Sequence, residues 1–132
     1  MIALDTNVLV RYLVEDDARQ TALAAALIGR AVKNDNALFV SDVVVCETVW
    51  VLSAAYQFDR AEIADVLRDV FRARHLTFVA SDQLSLALAA YTAGKGDFAD
   101  YLVREHARAA GCAEVVTFDK ALLRERGFVA PK

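Results

Sequence analysis

The chain has 132 residues, 57% of them hydrophobic, and a formal charge of −3 at neutral pH. That length suits one domain with a real core, and the mild acidity argues against a general nucleic-acid-binding surface, although an acidic site with a basic rim is compatible with it. No apolar run nears the roughly 20 residues of a membrane span, and no basic leader precedes the first apolar run, so we expect one cytoplasmic domain over residues 1–132.

The first apolar run, Ile2-Ala3-Leu4, ends in Asp5, Thr6 and Asn7 and reads as a short buried strand. An acid just past such a strand stands at its carboxyl end, where open α/β sheets carry their sites. Val8, Leu9, Tyr12 and Leu13 follow with helical spacing. Gln20 to Lys33 predicts an alanine-rich helix. Asn34-Asp35-Asn36 is a turn signal, and Ala37 to Val40 is a second strand. Ser41 or Asp42 offers a cap for an apolar helix over Val43 to Tyr56. Asp59 and Glu62 form a capping-box pair opening a helix from Arg60 to Ala73.

Leu76 to Val79 is a third strand, and Ser81 or Asp82 caps a helix running through Tyr91. Gly94-Lys95-Gly96 breaks the chain. Asp97 then caps a helix to about Ala110, which Gly111 ends. Glu114 to Thr117 is a fourth strand, Phe118-Asp119-Lys120 turns into a short helix, and Gly127 to Val129 adds an edge strand. Strands separated by helices imply a parallel sheet with crossovers. The expected fold is α/β, a three-layer α/β/α sandwich with a central parallel sheet. Cys46 and Cys112 stand among apolar residues without metal-ligand spacing and read as buried reduced thiols.

Four acids stand out. Asp5, Asp100 and Asp119 fall at strand ends or in a first helical turn. Glu47 lies one turn into the apolar helix, among valines and leucine, where a carboxylate is costly to bury unless it is paired or metal-bound. Each has a plainer reading: Asp5 as a helix cap, Glu47 on a wet face, Asp100 as a dipole-favoured acid, Asp119 as a turn residue. Taken together at one sheet edge, they make a carboxylate cluster without His or Cys, which suits Mg²⁺ or Mn²⁺ rather than zinc. Metal-assisted phosphodiester hydrolysis is the leading chemistry.

Four segments carry a resemblance: Ile2 to Leu9, Cys46 to Leu52, Asp97 to Val103, and Val116 to Asp119. Together they resemble a PIN domain, and more narrowly the VapC toxins of prokaryotic type II toxin–antitoxin pairs. The resemblance spans essentially the whole chain. It implies a Mg²⁺- or Mn²⁺-dependent ribonuclease on a small α/β/α sandwich, usually a homodimer, inhibited by a cognate VapB antitoxin. By position it assigns Asp5, Glu47, Asp100 and Asp119 as the catalytic, metal-holding acids. Asp97 is a secondary candidate, and Asn7 and Thr117 are small polar residues that bond the carboxylates. Arg104, Glu105 and His106 stand where the family usually has small residues.

Further residues keep two readings each. Arg104 either steers an RNA phosphate or pairs with Asp100 one turn away. His106 is a general base or a solvated histidine. Arg68, Arg72 and Arg74 contact RNA or cover a wet helix face. Trp50 and Tyr56 read as core or dimer contacts. The apolar early helices leave room for a groove that takes a partner helix. Two rival functions remain: a binding module that kept the acids without turnover, and a phosphohydrolase with Asp5 as nucleophile. The second is weakened by Asn7, which stands where a second acid is wanted.

Overall fold

The apolar runs form short parallel strands and the segments between them form helices. In a computed structural model describing residues 1–132, the chain makes two compact units, Met1–Val79 and Ala80–Lys132. The first holds β1 (Ile2–Ala3), α1 (Thr6–Leu13), α2 (Ala18–Lys33), β2 (Leu38–Phe39), α3 (Asp42–Ala54), α4 (Arg60–Arg72) and β3 (Leu76–Thr77). The second holds α5 (Ser81–Ala93), α6 (Phe98–Ala109), β4 (Val115–Val116), a 3₁₀ turn (Leu122–Arg124) and β5 (Phe128–Val129). The fold is α/β with parallel pairing throughout, as the alternation of strands and helices predicts. No helix is long and apolar enough to cross a membrane.

In the first unit the sheet order is β1-β2-β3. Ile2 pairs with Leu38, and Leu38 with Leu76. The ladder runs a residue past these pairs, with Leu4 N–H bonding Phe39 O and Val40 N–H bonding Thr77 O. β1 is an edge strand, so Ile2 is exposed and only Leu4 of the expected buried run is covered. Leu38 and Val40 on the central strand are fully buried, together with Leu9, Val10, Ile28, Val45, Leu52, Ile63 and Leu67 from the helices. The helix starts follow local chemistry. Asp5, Asp17, Ser41 and Asp59 each accept an early helical N–H, and Asp59 with Glu62 closes a full capping box. Asp35, at φ +53°, makes the turn out of α2.

Of the core and dimer-contact readings of Trp50 and Tyr56, the core one does not hold. Trp50 is 70% exposed, because its face of α3 is left uncovered, and so is Val43. Tyr56 lies beyond the end of α3 and is half-buried, its hydroxyl bonding Asp16 rather than entering the core. That hydroxyl donates to Asp16 Oδ2 at 2.7 Å and accepts from Arg11 at 2.8 Å, while Arg11 also meets Asp16 at 3.1 Å. The Tyr56 hydrogen bond, followed by the Arg11 charge, holds the Asp16 carboxyl below its usual range despite opposing desolvation. A carboxyl depressed in the fold contributes stability above its unfolded pKa and loses it as pH falls through the folded one. Urea midpoints measured against pH should therefore show wild type ahead of Tyr56→Phe near neutrality, with the gap narrowing in acid. A pH-independent gap would assign the effect to packing alone.

In the second unit α5 packs on α6, and β4 pairs with β5 in the register Val115 to Phe128. The buried residues are Leu84, Ala87, Leu88 and Tyr91 from α5, Phe98, Tyr101 and Leu102 from α6, and Leu122 and Phe128 beyond. Neither Ser81 nor Asp82 caps α5: Ala80 occupies the cap position and the helix begins at Ser81 without a side-chain cap. Gly111, at φ +92°, follows the end of α6 as expected. Cys112 is exposed and Cys46 half-buried, and both are free thiols, so only Cys46 resembles the expected core thiol.

Candidate metal centre

Asp5 follows β1 and caps α1, its Oδ1 accepting the Val8 N–H at 3.2 Å. The cap reading holds, and it uses one oxygen of the carboxylate. Glu47 is exposed rather than buried among the valines of α3. The 100° step per residue turns it away from the buried stripe of Val45, Thr48 and Leu52. Thr6, next to Asp5, donates its hydroxyl to Glu47 Oε2 at 3.2 Å. Thr6 is itself buried. The first unit therefore holds Glu47 beside the residue that follows Asp5, through a threonine the sequence reading did not single out.

In the second unit the Gly94–Gly96 loop delivers Asp97 to the cap position of α6 and Asp100 to its first turn. Asp97 makes no side-chain cap bond, so its carboxylate is not spent on the helix end. Asp119 sits after β4. Its Oδ1 accepts the N–H groups of Ala121 and Leu122 at 2.8 and 3.3 Å, and its own N–H bonds Thr117 Oγ1 at 3.0 Å. Thr117 thus shapes the turn through the backbone and does not bond the carboxylate, contrary to expectation. The Asp100 carboxyl is held above its ordinary range, first by partial burial and then by the charges of Asp97, Asp119 and Glu125, against a backbone hydrogen bond from Asp97. The charges of Asp97, Asp119 and Glu125 thus all bear on the Asp100 carboxyl.

A profile described as the PIN domain matches residues 2–128. The chain belongs to the PIN domain family. It is also similar to a protein named VapC ribonuclease from Aquifex aeolicus (strain VF5), with 26% identity over 120 residues, covering 91% of this chain and 88% of that protein.

Asp5 and Glu47 of this PIN domain lie in the first unit, Asp100 and Asp119 in the second. Nowhere in the chain do three His, Cys, Asp or Glu side chains draw close enough to enclose an ion. The donors are all carboxylate oxygens, and like charges gathered around Asp100 are what a cation would relieve. A small donor set of this kind fits a hard divalent ion that keeps several of its waters.

Arg104 takes neither predicted role. Its Nε meets Glu105 at 3.0 Å, its NH1 donates to the Arg126 carbonyl at 2.8 Å, and its guanidinium lies over Tyr101 and Phe128. It is occupied inside the second unit, paired with a buried glutamate that the sequence marked only as a departure from the family's small residues. Arg68 pairs with Asp65 at 2.7 Å on an open helix face, the plainer of its two readings. His106 is on the exposed side of α6.

The crowding of Asp100 has a measurable consequence. An acid whose folded pKa is raised makes the fold lose stability as pH climbs from its unfolded value through its folded one, because the native state holds the extra proton. In metal-free buffer, Asp100→Asn should be more stable than wild type at neutral pH, with the difference vanishing in acid below the ordinary carboxylate range. Equal unfolding midpoints at all pH values would show that the carboxyls are not in strained company.

Proposed function

We propose that this PIN domain is a divalent-metal-dependent endoribonuclease toxin of a type II toxin–antitoxin pair. The observation that carries the reading is the match to the PIN domain over residues 2–128; the partly buried Asp100 carboxyl, raised by burial and by the charges of Asp97, Asp119 and Glu125, is the kind of acidic surrounding that favours Mg²⁺ or Mn²⁺. The family profile, which matches residues 2–128, supports treating the chain as a single PIN domain. The similarity to a VapC ribonuclease supports RNA as the substrate.

Asp5, Glu47, Asp100 and Asp119 are the residues that would hold the ion. A bound ion of this class makes a water more acidic and offsets charge developing on a phosphate. The chain itself supplies orientation. Thr6 directs Glu47, the α1 cap fixes Asp5, and two backbone N–H groups pin Asp119. The reaction adds water across a phosphodiester and breaks the bond to the 3′-oxygen, leaving a 5′-phosphate and a 3′-hydroxyl. These residues position groups within hydrogen-bond reach, which is where much of the rate enhancement of phosphoryl chemistry originates.

A VapB-like antitoxin is the proposed protein partner. The groove that supports it runs between α1 and α2, not between α2 and α3 as the sequence suggested. It has a volume of about 360 Å³ and is lined by Asp5, Val8, Arg11, Leu23 and Leu27 among others. Leu23 is 62% exposed there, a ready anchor for an apolar partner helix. The uncovered Val43 and Trp50 on α3 support a homodimer contact. The proposed setting is the cytoplasm, where cellular RNA is reached.

The test is cleavage of total cellular RNA by purified wild type and Asp100→Ala, each with Mg²⁺, with Mn²⁺ and with EDTA. Discrete fragments that need metal and disappear in the variant are the expected result. A folded wild type that takes up metal without cutting RNA would instead favour a binding module. Cleavage that survives both EDTA and the substitution would withdraw the assignment.

A further inference from the structure

Tyr101 is completely buried on α6, yet its hydroxyl is fully used. It accepts the Gly96 N–H at 2.8 Å and donates to the Glu125 carboxylate, 2.6 Å from each oxygen. One hydroxyl therefore ties three places together: the loop before α6, α6 itself, and the segment after the 3₁₀ turn. They adjoin the two acid-bearing stretches of the second unit. Asp97 and Asp100 follow Gly96 directly. Asp119 and Glu125 are joined through Leu122, whose N–H bonds Asp119 and whose carbonyl accepts the Glu125 N–H at 2.9 Å.

The surroundings leave this hydroxyl little freedom. A Cβ at Gly94 would run into the Tyr101 hydroxyl and the Glu125 carboxylate. One at Gly96 would stand 2.8 Å from Leu122 Cδ2 and 3.1 Å from Tyr101 Cζ. The two glycines of the break thus permit a close approach of backbone to the tyrosine, which is a use of glycine distinct from a bare turn. The arrangement also has a cost, since Glu125 brings one more negative charge toward Asp100. A core tyrosine could satisfy its hydroxyl with a carbonyl at no such cost.

We propose that Tyr101 and Glu125 form a positioning pair, whose hydrogen bond sets the spacing between the Asp97–Asp100 turn and the Asp119 turn and so sets the affinity for a divalent cation. The inference rests on the metal reading above. Tyr101 does not touch the ion; it acts through the acids it spaces. Residues that orient metal ligands typically change affinity 10- to 100-fold when removed.

The experiment is Mn²⁺ binding to the full chain, followed by the electron paramagnetic resonance signal of free Mn²⁺, with urea unfolding run on every variant. Tyr101→Phe keeps the ring and removes the clamp, and about a 10-fold or larger rise in Kd is expected. Glu125→Ala should match it. Glu125→Gln retains an oxygen that accepts from Tyr101, so it should recover most of the affinity that Glu125→Ala loses, a rescue that loss of stability alone would not produce. Wild-type affinity in Tyr101→Phe would overturn the proposal, as would Glu125→Gln failing as completely as Glu125→Ala, which would make the charge and not the hydrogen bond the active feature. If Tyr101→Phe does not fold, Glu125→Ala and its rescue decide the matter. A wild type that takes up no Mn²⁺ would bring down the metal reading itself and this inference with it, a result distinct from a wild type that binds and variants that bind equally.

Discussion

Replacing Asp5 by Asn should lower RNA cleavage by at least about 100-fold, the lower end of what losing one electrostatic stabiliser costs an active site, while the protein stays folded. The separation of the two effects follows from the double duty of this residue. Asp5 Oδ1 caps α1 by accepting the Val8 N–H, and asparagine is as good an N-cap as aspartate. The substitution therefore removes a charge and leaves the helix start intact. Asp5→Ala would be a poorer experiment, because loss of the cap costs about 1 kcal/mol by itself. The check is a cleavage time course on total RNA with Mn²⁺ beside a urea unfolding curve. An Asn variant that cuts at the wild-type rate would remove Asp5 from the site.

The largest expected loss of stability comes from Glu105→Ala, at about 3–5 kcal/mol, the range for breaking a buried ion pair from one side. Glu105 is 4% exposed. It meets Arg104 at 3.0 Å and Arg108 at 3.2 Å. Removing it leaves Arg104 almost enclosed, its side chain only 11% exposed, with a charge and no carboxylate. Arg104 cannot easily leave, because it is also bonded to the Arg126 carbonyl and stacked on Tyr101 and Phe128. Gly127 is shaped to admit it: the residue has φ +90°, and a Cβ there would lie 2.9 Å from Arg104 Cδ. Arg108 is the control. Its side chain is 43% exposed, so Arg108→Ala should cost under about 1 kcal/mol. Urea unfolding at constant slope measures both, and equal losses would mean that burial does not govern this cluster. Against a typical total of 5–15 kcal/mol, the Glu105 effect is large enough to populate the unfolded chain.

Much of the frame around the candidate site was legible in the sequence, because its residues are marked by local chemistry. Asp5, Ser41, Asp59 and Gly111 stand where the ends of helices require a cap acceptor or a left-handed residue, and the structure uses them so. Asp100 and Asp119 were read from their places after a chain break and a strand, and the structure sets them in one electrostatic neighbourhood. Thr6 and Thr117 show the limit. Both are short polar residues beside a candidate acid, and nothing local says that Thr6 bonds a glutamate 41 residues away while Thr117 bonds the backbone two residues on.

The sequence by itself determined the α/β class, the parallel pairing and most helix starts, and it singled out the candidate acids. These depend on periodicity, on caps and on charges in apolar company, all of which act over a turn or a strand. Tertiary structure alone decided which polar residues would be buried and what would satisfy them. Glu105 and Arg104 look like surface residues of a helix until β5 and the Arg126 carbonyl, more than twenty residues later, close over them. Tyr101 looks like ordinary core until Glu125 reaches its hydroxyl. The physical reason is the same in both cases. A buried polar group must find a partner at hydrogen-bond distance wherever the fold provides one, and distance along the chain does not reveal distance in space.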